Sequence, residues 1–210
     1  MLGSANRDRA AERREATRQE IVGAAWQVAR SQGLAQVTLG AVAGLVGMRA
    51  PSLYTHFASK NAIYDAMFAQ AWSDYLDSVR ALEPAMAIEA RRGPRHLLRH
   101  LARHFFDYAV SDLARHQLMN QRTIPGFEPS PESYAPAVAV LEDFRQRLAD
   151  LGVTRQEDVD ICVALIGGLI DAQLANDLGG DRWARLLDRA VDMFADNVNL
   201  PRDDHFEDQP

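Results

Sequence analysis

Apolar residues recur at helical spacing along most of this 210-residue chain, and this feature constrains its fold more than any other. Ile21, Ala25 and Val28, for example, lie three or four positions apart, as residues on one face of an α-helix do. The sequence lacks the alternating β-branched runs and hairpin turns that are typical of strands. The pattern therefore predicts an all-α protein, long enough for one large or two small domains.

The first predicted helix follows a polar segment of mixed charge. Thr17 and Glu20 are three positions apart and fit a capping box, in which the two residues satisfy each other's backbone N–H groups. We therefore predict a helix at about 18–32, with Gly33 as the residue that ends it. Residues 1–16 would then form a flexible N-terminal arm.

Two short helices are predicted next, in the segment that ends at Phe57. Thr38 is the expected N-cap of the first, which stops at Gly47. Pro51 is tolerated in the first turn of a helix, so the second would cover about 49–57. Two short helices joined by a tight glycine turn describe a helix-turn-helix, whose second helix enters the major groove of DNA.

A long helix at about 60–80, capped by Ser59, would follow this motif. Pro84 and the RRGP segment at 91–94 interrupt the helical pattern, so a domain boundary is expected between about 80 and 94. The predicted organisation is a DNA-binding domain at 17–60, a linker helix at 60–80, a second helical domain at 81–200 and a polar tail at 201–210. Within the second domain, helices are predicted at about 94–121, 134–151, 155–178 and 181–199.

The charge of the chain is distributed unevenly. Residues 1–60 contain eight basic and four acidic residues, whereas the whole chain has a formal net charge of −6. A basic N-terminal part joined to an acidic remainder suggests a polyanionic partner for the first part. A solvated face rich in arginine would explain the charge equally well.

Other sequence features limit the class of protein. No apolar run approaches the length of about 18 residues that a membrane span needs. The start of the chain lacks the apolar stretch of a secretory signal, and Cys162 is the one cysteine, so no internal disulfide can form. We therefore expect a cytoplasmic protein.

The third helix carries residue types that suit DNA recognition. Arg49 can bind guanine through two hydrogen bonds, and the small apolar Ala50 and Pro51 can approach a thymine methyl group. Hydroxyl and ring N–H groups nearby can donate to phosphates, whereas Leu53 and Phe57 would pack inward. The candidate DNA contacts are Thr38, Arg49, Ala50, Pro51, Ser52, Tyr54, Thr55, His56 and Lys60.

Lys60 is the single lysine of the chain and would lie in the first turn of the long helix. A cation there opposes the helix dipole, which is mildly unfavourable. A bound phosphate would reverse this penalty, since it would place an anion beside both the lysine and the helix N-terminus. A simple solvated lysine is the alternative.

The segment TLGAVAGLVGMRAPSLYTHFASKNAIYDAM closely resembles the helix-turn-helix of the TetR family of bacterial transcriptional regulators. The resemblance covers about residues 17–70. It rests on a threonine N-cap, a helix of small residues, a turn glycine, an LY-x-x-F segment and an SK pair that opens the next helix. These elements are Thr38, Ala43, Gly47, Leu53, Tyr54, Phe57, Ser59 and Lys60.

The sequence departs from the family pattern inside the recognition helix. Many members have serine and lysine where this chain has Arg49 and Ala50, and glycine where it has Pro51. His56 stands where an aromatic residue is usual. The basic residue is thus displaced by one position, so we expect a different operator sequence.

The resemblance implies that the second domain binds a small molecule and forms a homodimer through its last two long helices, as a four-helix bundle. Residues 159–174 are apolar nearly all round, which is consistent with cover on most sides, although a plain core would explain the pattern too. The candidate interface residues are Ile166, Gly167, Ile170, Leu174, Trp183, Leu187, Val191 and Phe194.

An effector site would lie in the same domain. Asp171, on an otherwise apolar helix, is expected to be buried and to need a partner, which His104 or a ligand could supply. A satisfied polar group in the core or interface is the alternative. The candidate effector residues are His104, Phe105, Tyr108, Met119, Asn120, Phe127, Tyr134, Asp171 and Asn176; the identity of the effector cannot be derived from them.

Three histidines, His96, His100 and His104, are spaced four apart, and such pairs can share a metal ion. Arginines at 95, 99 and 103 lie on the neighbouring helix face and disfavour a second cation there. The chain also lacks the Glu-x-x-His motif of di-iron bundles. We therefore predict neither a metal site nor a cofactor.

Together these features predict a ligand-responsive repressor that acts as a homodimer on a palindromic DNA operator. An activator of the same fold is one alternative. A helical metal- or ligand-binding enzyme with a vestigial DNA-binding domain is another, although the sequence contains no recognisable nucleophile–base pair.

Overall fold

The computed structural model describes residues 2–203. The regular elements in that range are all helices, which confirms the prediction of an all-α protein. No helix in this range is both long and apolar enough to cross a membrane. The α-helices are α1 (Leu2–Gln32), α2 (Leu39–Leu45), α3 (Ala50–Leu53), α4 (Lys60–Ala81), α5 (Glu83–Arg92), α6 (Pro94–Val110), α7 (Leu113–Asn120), α8 (Pro131–Asp150), α9 (Gln156–Asn176) and α10 (Leu187–Asn197), with 3₁₀ turns at Leu34–Gln36 and Ala184–Leu186.

The chain forms two compact units. The N-terminal unit contains the residues up to Ala71 together with Ala114–Ala135, and the C-terminal unit contains Trp72–Leu113 and the residues from Pro136 onward. In the N-terminal unit, α1, α2, α3 and α4 bury a shared apolar core. The most deeply buried members of this core are Ile21, Ala25, Val42, Leu53, Ile63, Tyr64 and Met67.

Helix α1 begins much earlier than predicted, because residues 2–16 are helical and continue into the predicted first helix. The predicted start of this helix at about residue 18 is therefore wrong, and Met1 lies outside the described part of the chain. Thr17 is not an N-cap, since its hydroxyl donates to the carbonyl of Arg13 at 3.0 Å. Residues 9–16 are mostly alanine, arginine and glutamate, which favour helix strongly enough to extend it beyond the capping box.

The segment 114–135 belongs to the N-terminal unit because it packs against α4. The Asp65 carboxylate accepts hydrogen bonds from the Ser130 N–H at 2.7 Å and from the Ser130 and Ser133 hydroxyls, each at 2.8 Å. The rings of Tyr64 and Phe127 lie 5.6 Å apart. The division therefore falls inside α4, whereas the boundary predicted at about 80–94 lies in a region that contains the helix α5.

The C-terminal unit is built around α6, α9 and α10. The predicted helix at 94–121 is divided into α6 and α7 at Ser111 and Asp112. The core contains one face from each of several helices, and its most deeply buried members include Leu98, Ala102, Phe106, Leu148, Ile170, Leu187, Val191 and Ala195.

A ladder of three ion pairs joins α6 to α10. Arg95 contacts Asp196 at 2.7 Å, Arg99 contacts Asp192 at 2.6 Å and Arg103 contacts Asp188 at 3.0 Å. The partners run in opposite directions along the two helices, so α6 and α10 are antiparallel. This arrangement accounts for the arginines that the sequence places beside the three histidines.

Candidate DNA-binding surface and effector region

Local backbone chemistry forms the helix-turn-helix. The Thr38 side chain accepts a hydrogen bond from the Ala41 N–H at 3.1 Å, so Thr38 is the N-cap of α2, as predicted. Gly47 has a φ of +67°, a left-handed conformation that glycine adopts without strain, and it makes the turn before α3. Pro51 lies in the first turn of α3.

The residues around α3 separate into an inner and an outer set. Leu53 and Phe57 are buried, with exposures of 0% and 1%, which confirms the prediction that they pack inward. Ala50, His56 and Lys60 are partly buried. The remaining candidate DNA contacts are exposed, namely Thr38, Arg49, Pro51, Ser52, Tyr54 and Thr55.

Helix α3 is shorter than predicted. It ends at Leu53, and turns carry the chain from there to His56. The carbonyl of Thr55 accepts a hydrogen bond from Arg14 at 3.0 Å, and the carbonyl of His56 accepts one from Arg18. The Arg18 guanidinium also lies 4.2 Å above the centre of the Phe57 ring. Sequence reasoning missed both arginines, since nothing in the spacing of residues 14 and 55 links them.

Lys60 begins α4 and is engaged within the N-terminal unit. Its ammonium group donates to the carbonyl of Ala35 at 3.3 Å and lies 5.2 Å from the centre of the Tyr64 ring. The Tyr64 hydroxyl donates to the neighbouring carbonyl of Leu34. Both side chains therefore support the 3₁₀ turn before α2, and the phosphate contact of Lys60 stays a prediction.

Three of the candidate effector residues gather around Tyr75 in the C-terminal unit. The centre of the Tyr75 ring lies 5.5 Å from His104, 5.2 Å from Phe105 and 4.9 Å from Tyr108. Tyr75 is 5% exposed, and this burial raises the pKa of its hydroxyl. We call Tyr75, His104, Phe105 and Tyr108 the aromatic cluster. Sequence reasoning missed Tyr75, although it lies on the predicted linker helix.

His104 contacts Ser78 through its Nε2 atom. The Ser78 hydroxyl lies 2.6 Å from the Tyr75 carbonyl and 2.9 Å from His104 Nε2. The tautomer with its proton on Nε2 satisfies both contacts at once, because the hydroxyl can then donate to the carbonyl and accept from the ring. Burial, together with the neighbouring His100, lowers the pKa of His104, so the ring resists protonation.

Four further effector candidates belong to the N-terminal unit. Phe127 packs against Tyr64, and the Tyr134 ring is stacked on Phe68 at 6.0 Å. Asn120 lies 3.3 Å from the Nδ1 atom of His116, and Met119 is 8% exposed. Phe127, Tyr134 and Asn120 therefore have contacts within their own unit.

Asp171 and Asn176 are exposed on α9 in the single chain, so Asp171 does not lie in the chain's own core as expected, and the effector role of both residues stays a prediction. The buried polar residue of this helix is Gln173, with an exposure of 2%. Its side-chain oxygen accepts hydrogen bonds from the N–H groups of Trp183 and Ala184 at 2.9 and 3.2 Å. Its amide group donates to Gly180 at 3.1 Å. Gln173 thus fixes the loop between α9 and α10.

The predicted dimer residues need a similar correction. Six of the eight candidates are buried within the single chain, with exposures of 8% or less: Ile166, Ile170, Leu174, Leu187, Val191 and Phe194. Gly167 and Trp183 are partly buried. Because α9 is apolar nearly all round, its sequence does not reveal which face its own chain covers. The large apolar residues that remain exposed on these two helices and the turn before α10 are Ile161, Val163, Leu186 and Met193.

The three spaced histidines do not converge. His96 lies between Glu89 and Asp203, at 3.6 and 3.5 Å, whereas His104 contacts Ser78. Among the residues that the structure describes, no group of three or more histidine, cysteine, aspartate or glutamate side chains could hold a metal ion.

An exposed helix-turn-helix followed by a helical domain is the architecture of a DNA-binding transcription regulator. Residues 21–67 match the family model described as bacterial regulatory proteins, tetR family. The resemblance to TetR-family regulators is therefore confirmed over these residues. In sequence, the chain has no significant match among curated proteins.

Solved structures share the fold over most of the chain. The protein SCO4313, described as a regulatory protein, has a TM-score of 0.70 and 20% identity, covering 88% of this chain and 97% of its own. FadR from Bacillus subtilis, crystallised with stearoyl-CoA, has a TM-score of 0.63 and 16% identity, covering 84% and 96%. FadR from Thermus thermophilus, a TetR-family repressor crystallised with lauroyl-CoA, has a TM-score of 0.54 and 17% identity, covering 87% and 93%. At these identities the similarity establishes the fold alone.

Proposed function

We propose that this protein is a cytoplasmic, ligand-responsive repressor that acts as a homodimer on a palindromic operator. One observation carries the DNA-binding part of this proposal: α3 buries Leu53 while Arg49, Ser52 and Tyr54 remain exposed beside one another. An exposed arginine with neighbouring hydroxyl groups, on the second helix of a helix-turn-helix, suits base and phosphate contacts in a major groove.

The homodimer is supported by apolar surface on α9, α10 and the turn that precedes α10. Leu186 and Met193 are 41% and 63% exposed, and the partly buried Ala190 lies between them at helical spacing. On α9, Ile161 is 52% exposed and Gly168 is also at the surface. Exposed apolar residues at this density favour a protein contact. A second copy would supply the second helix-turn-helix that a palindrome requires.

The effector site is proposed to include the aromatic cluster. Its packed rings offer an apolar wall, and the His104 Nδ1 atom and the Tyr108 hydroxyl add polar groups that could orient a ligand. Acyl-CoA thioesters are the first ligands to test, since two FadR proteins of the same fold were crystallised with them. Trp72 lies 6.3 Å from Tyr75 and provides a fluorescent reporter in a chain with Trp26→Phe and Trp183→Phe.

DNA binding is tested by selecting bound sequences from a random duplex pool with the full-length protein at two salt concentrations. A recovered palindrome, with affinity that falls steeply as salt rises, is the expected result. Selection of no sequence, with weak binding at low salt alone, would overturn the proposed DNA reader.

The effector is tested on the selected operator. Stearoyl-CoA and lauroyl-CoA are titrated into the protein–operator complex, with free coenzyme A as the control. A repressor released by its effector should lose operator affinity, whereas an activator should gain affinity or transcription. If neither acyl-CoA changes the fluorescence of Trp72, this ligand class is removed from the proposal.

A further inference from the structure

The recognition helix α3 is too short to hold its own geometry. It contains four residues, Ala50–Leu53, which is about one helical turn. Helices of this length do not persist in water without tertiary contacts, because one turn gains few hydrogen bonds for the backbone that it orders. The orientation of Arg49, Ser52 and Tyr54 therefore depends on what holds both ends of α3.

Two arginines of α1 hold the segment that follows α3. Arg14 and Arg18 are four positions apart and so lie on the same face of α1. Arg14 binds the Thr55 carbonyl at 3.0 Å, and Arg18 binds the His56 carbonyl. Both carbonyls lie beyond Leu53, the last residue of α3, so the two contacts hold the turn that follows the helix.

Arg18 also fixes the segment through Phe57. Its guanidinium lies 4.2 Å above the ring centre of Phe57, which is 1% exposed and anchored in the core of the N-terminal unit. The planar group thus binds a carbonyl and covers an aromatic ring at once, which a lysine does less well.

We propose that Arg14 and Arg18 are positioning residues for operator recognition, and that they set the orientation of α3 rather than bind phosphate. This inference rests on the proposed DNA binding. It assigns a defined role to Arg14 and Arg18. A general attraction between basic residues and DNA would otherwise be the explanation for these two arginines. Loss of the two contacts should weaken base-specific binding while leaving non-specific attraction nearly unchanged.

The test compares Arg14→Ala/Arg18→Ala with Arg13→Ala/Arg9→Ala, which removes the same charge from the same helix. Each protein is titrated with the operator duplex selected by the wild type and with a random-sequence duplex, over a range of salt. We expect the first variant to bind the operator about 10-fold more weakly than the control variant, with the same affinity for random duplex and the same salt dependence. Arg18→Lys should keep the random-duplex affinity and recover part of the operator affinity.

Amide hydrogen exchange of the free protein tests the same inference without DNA. The amides of His56 and Phe57 donate to the Leu53 carbonyl. Their exchange should become about 5- to 10-fold faster in Arg14→Ala/Arg18→Ala, while the amides of α2 keep their wild-type rates. Circular dichroism of each variant verifies that the rest of the fold persists.

Two results would overturn the inference. Equal losses on operator and random duplex, with a weaker salt dependence than that of the control variant, would make the arginines phosphate contacts. Operator affinity equal to that of the control variant, with unchanged exchange at His56 and Phe57, would leave them no positioning role. If the wild type selects no DNA sequence, the proposed function is overturned. The exchange rates of the His56 and Phe57 amides then still test whether Arg14 and Arg18 hold the segment after α3.

Discussion

The two units of this protein use arginine in different ways. In the N-terminal unit, Arg14 and Arg18 bind backbone carbonyls at the end of a short helix. In the C-terminal unit, Arg95, Arg99 and Arg103 bind carboxylates along a neighbouring helix. Carbonyl partners do not titrate, whereas carboxylate partners do. The segment after α3 is therefore held by contacts that pH leaves intact, whereas the Arg95–Asp196 contact of the C-terminal unit is one that acid removes.

The largest effect on stability is expected at Arg95, a buried arginine that binds both a carboxylate and backbone carbonyls. Its buried side chain binds Asp196 at 2.7 Å and the carbonyls of Leu200 and Pro201 at 2.7 and 3.0 Å. Arg95→Met should lower the free energy of unfolding by about 3 kcal/mol, because buried carbonyls would lose their donors. Denaturant unfolding gives the value. The control Arg103→Met removes a more exposed ion pair with Asp188 and a single carbonyl contact, to Ala184 at 2.9 Å, and should cost about 1 kcal/mol. Equal losses for the two variants would contradict this expectation.

The second largest loss of stability is expected at Gln173, a neutral side chain that binds backbone groups. Gln173 contacts backbone groups of Gly180, Trp183 and Ala184 from a buried position. Gln173→Leu should lower the free energy of unfolding by about 2 kcal/mol, since the N–H groups of the partly buried Trp183 and Ala184 would lose their acceptor. Gln146→Leu, at an exposed site on α8, is the control in the same denaturation experiment. A loss at position 173 no greater than at position 146 would show that water replaces the amide.

The third prediction concerns DNA binding by Arg49, in the N-terminal unit. Among the described residues, Arg49 contacts neither a carbonyl nor a carboxylate. It is exposed at the start of α3. Arg49→Ala should weaken operator binding about 10-fold and relax the preference at one base pair, since a bidentate contact to guanine is lost. Lys60→Ala should weaken operator and random duplex alike and reduce the salt dependence. Equal losses on both duplexes for Arg49→Ala would assign it to a phosphate.

The smallest effect concerns pH. The pKa of His104 is lowered in the folded protein by burial, so the unfolded chain binds the proton at higher pH. His104 therefore contributes stability above its unfolded pKa of about 6.5, and this contribution is lost as pH falls through the folded pKa. Thermal unfolding between pH 7.5 and 5.5 should show a smaller decrease for His104→Gln than for the wild type. Identical pH profiles for the two proteins would contradict the assignment.

Asp196 extends the same reasoning to lower pH. The hydrogen bond from Arg95 is the main reason why the pKa of Asp196 is lowered. Its contribution is present above the unfolded pKa near 4 and is lost as pH falls through the lower, folded value. In Arg95→Met, the pKa of Asp196, followed by NMR, should return towards its ordinary value.

Sequence reasoning succeeded where structure depends on neighbours in the chain. The cap at Thr38, the turn at Gly47 and the inward Leu53 follow from local spacing, and the structure has all three. These signals are sufficient to place the starts of α2 and α3, because turn and capping chemistry acts over a few residues, but they did not give the end of α3.

It failed where structure depends on distant partners. Ile166 and Ile170 were assigned to a partner subunit, but they lie in the core of their own chain. Asp171, one position further along α9, is exposed instead of buried. An apolar helix gives no signal that separates the two kinds of cover. The role of Arg14 and Arg18 was equally hidden, because their partners are carbonyls some 40 residues away, which no side-chain pattern records.

Lys60 is the one lysine in the sequence, and it begins α4 directly after the helix-turn-helix. Apart from the chain terminus, it is therefore the one site at which an amine-selective reagent can attach a label. Apart from a label on the chain terminus, a fluorophore or a biotin group introduced by such chemistry would lie beside the candidate DNA-binding surface. The protein thus carries a natural conjugation handle, and protection of this amine by bound duplex would map the interface without any substitution.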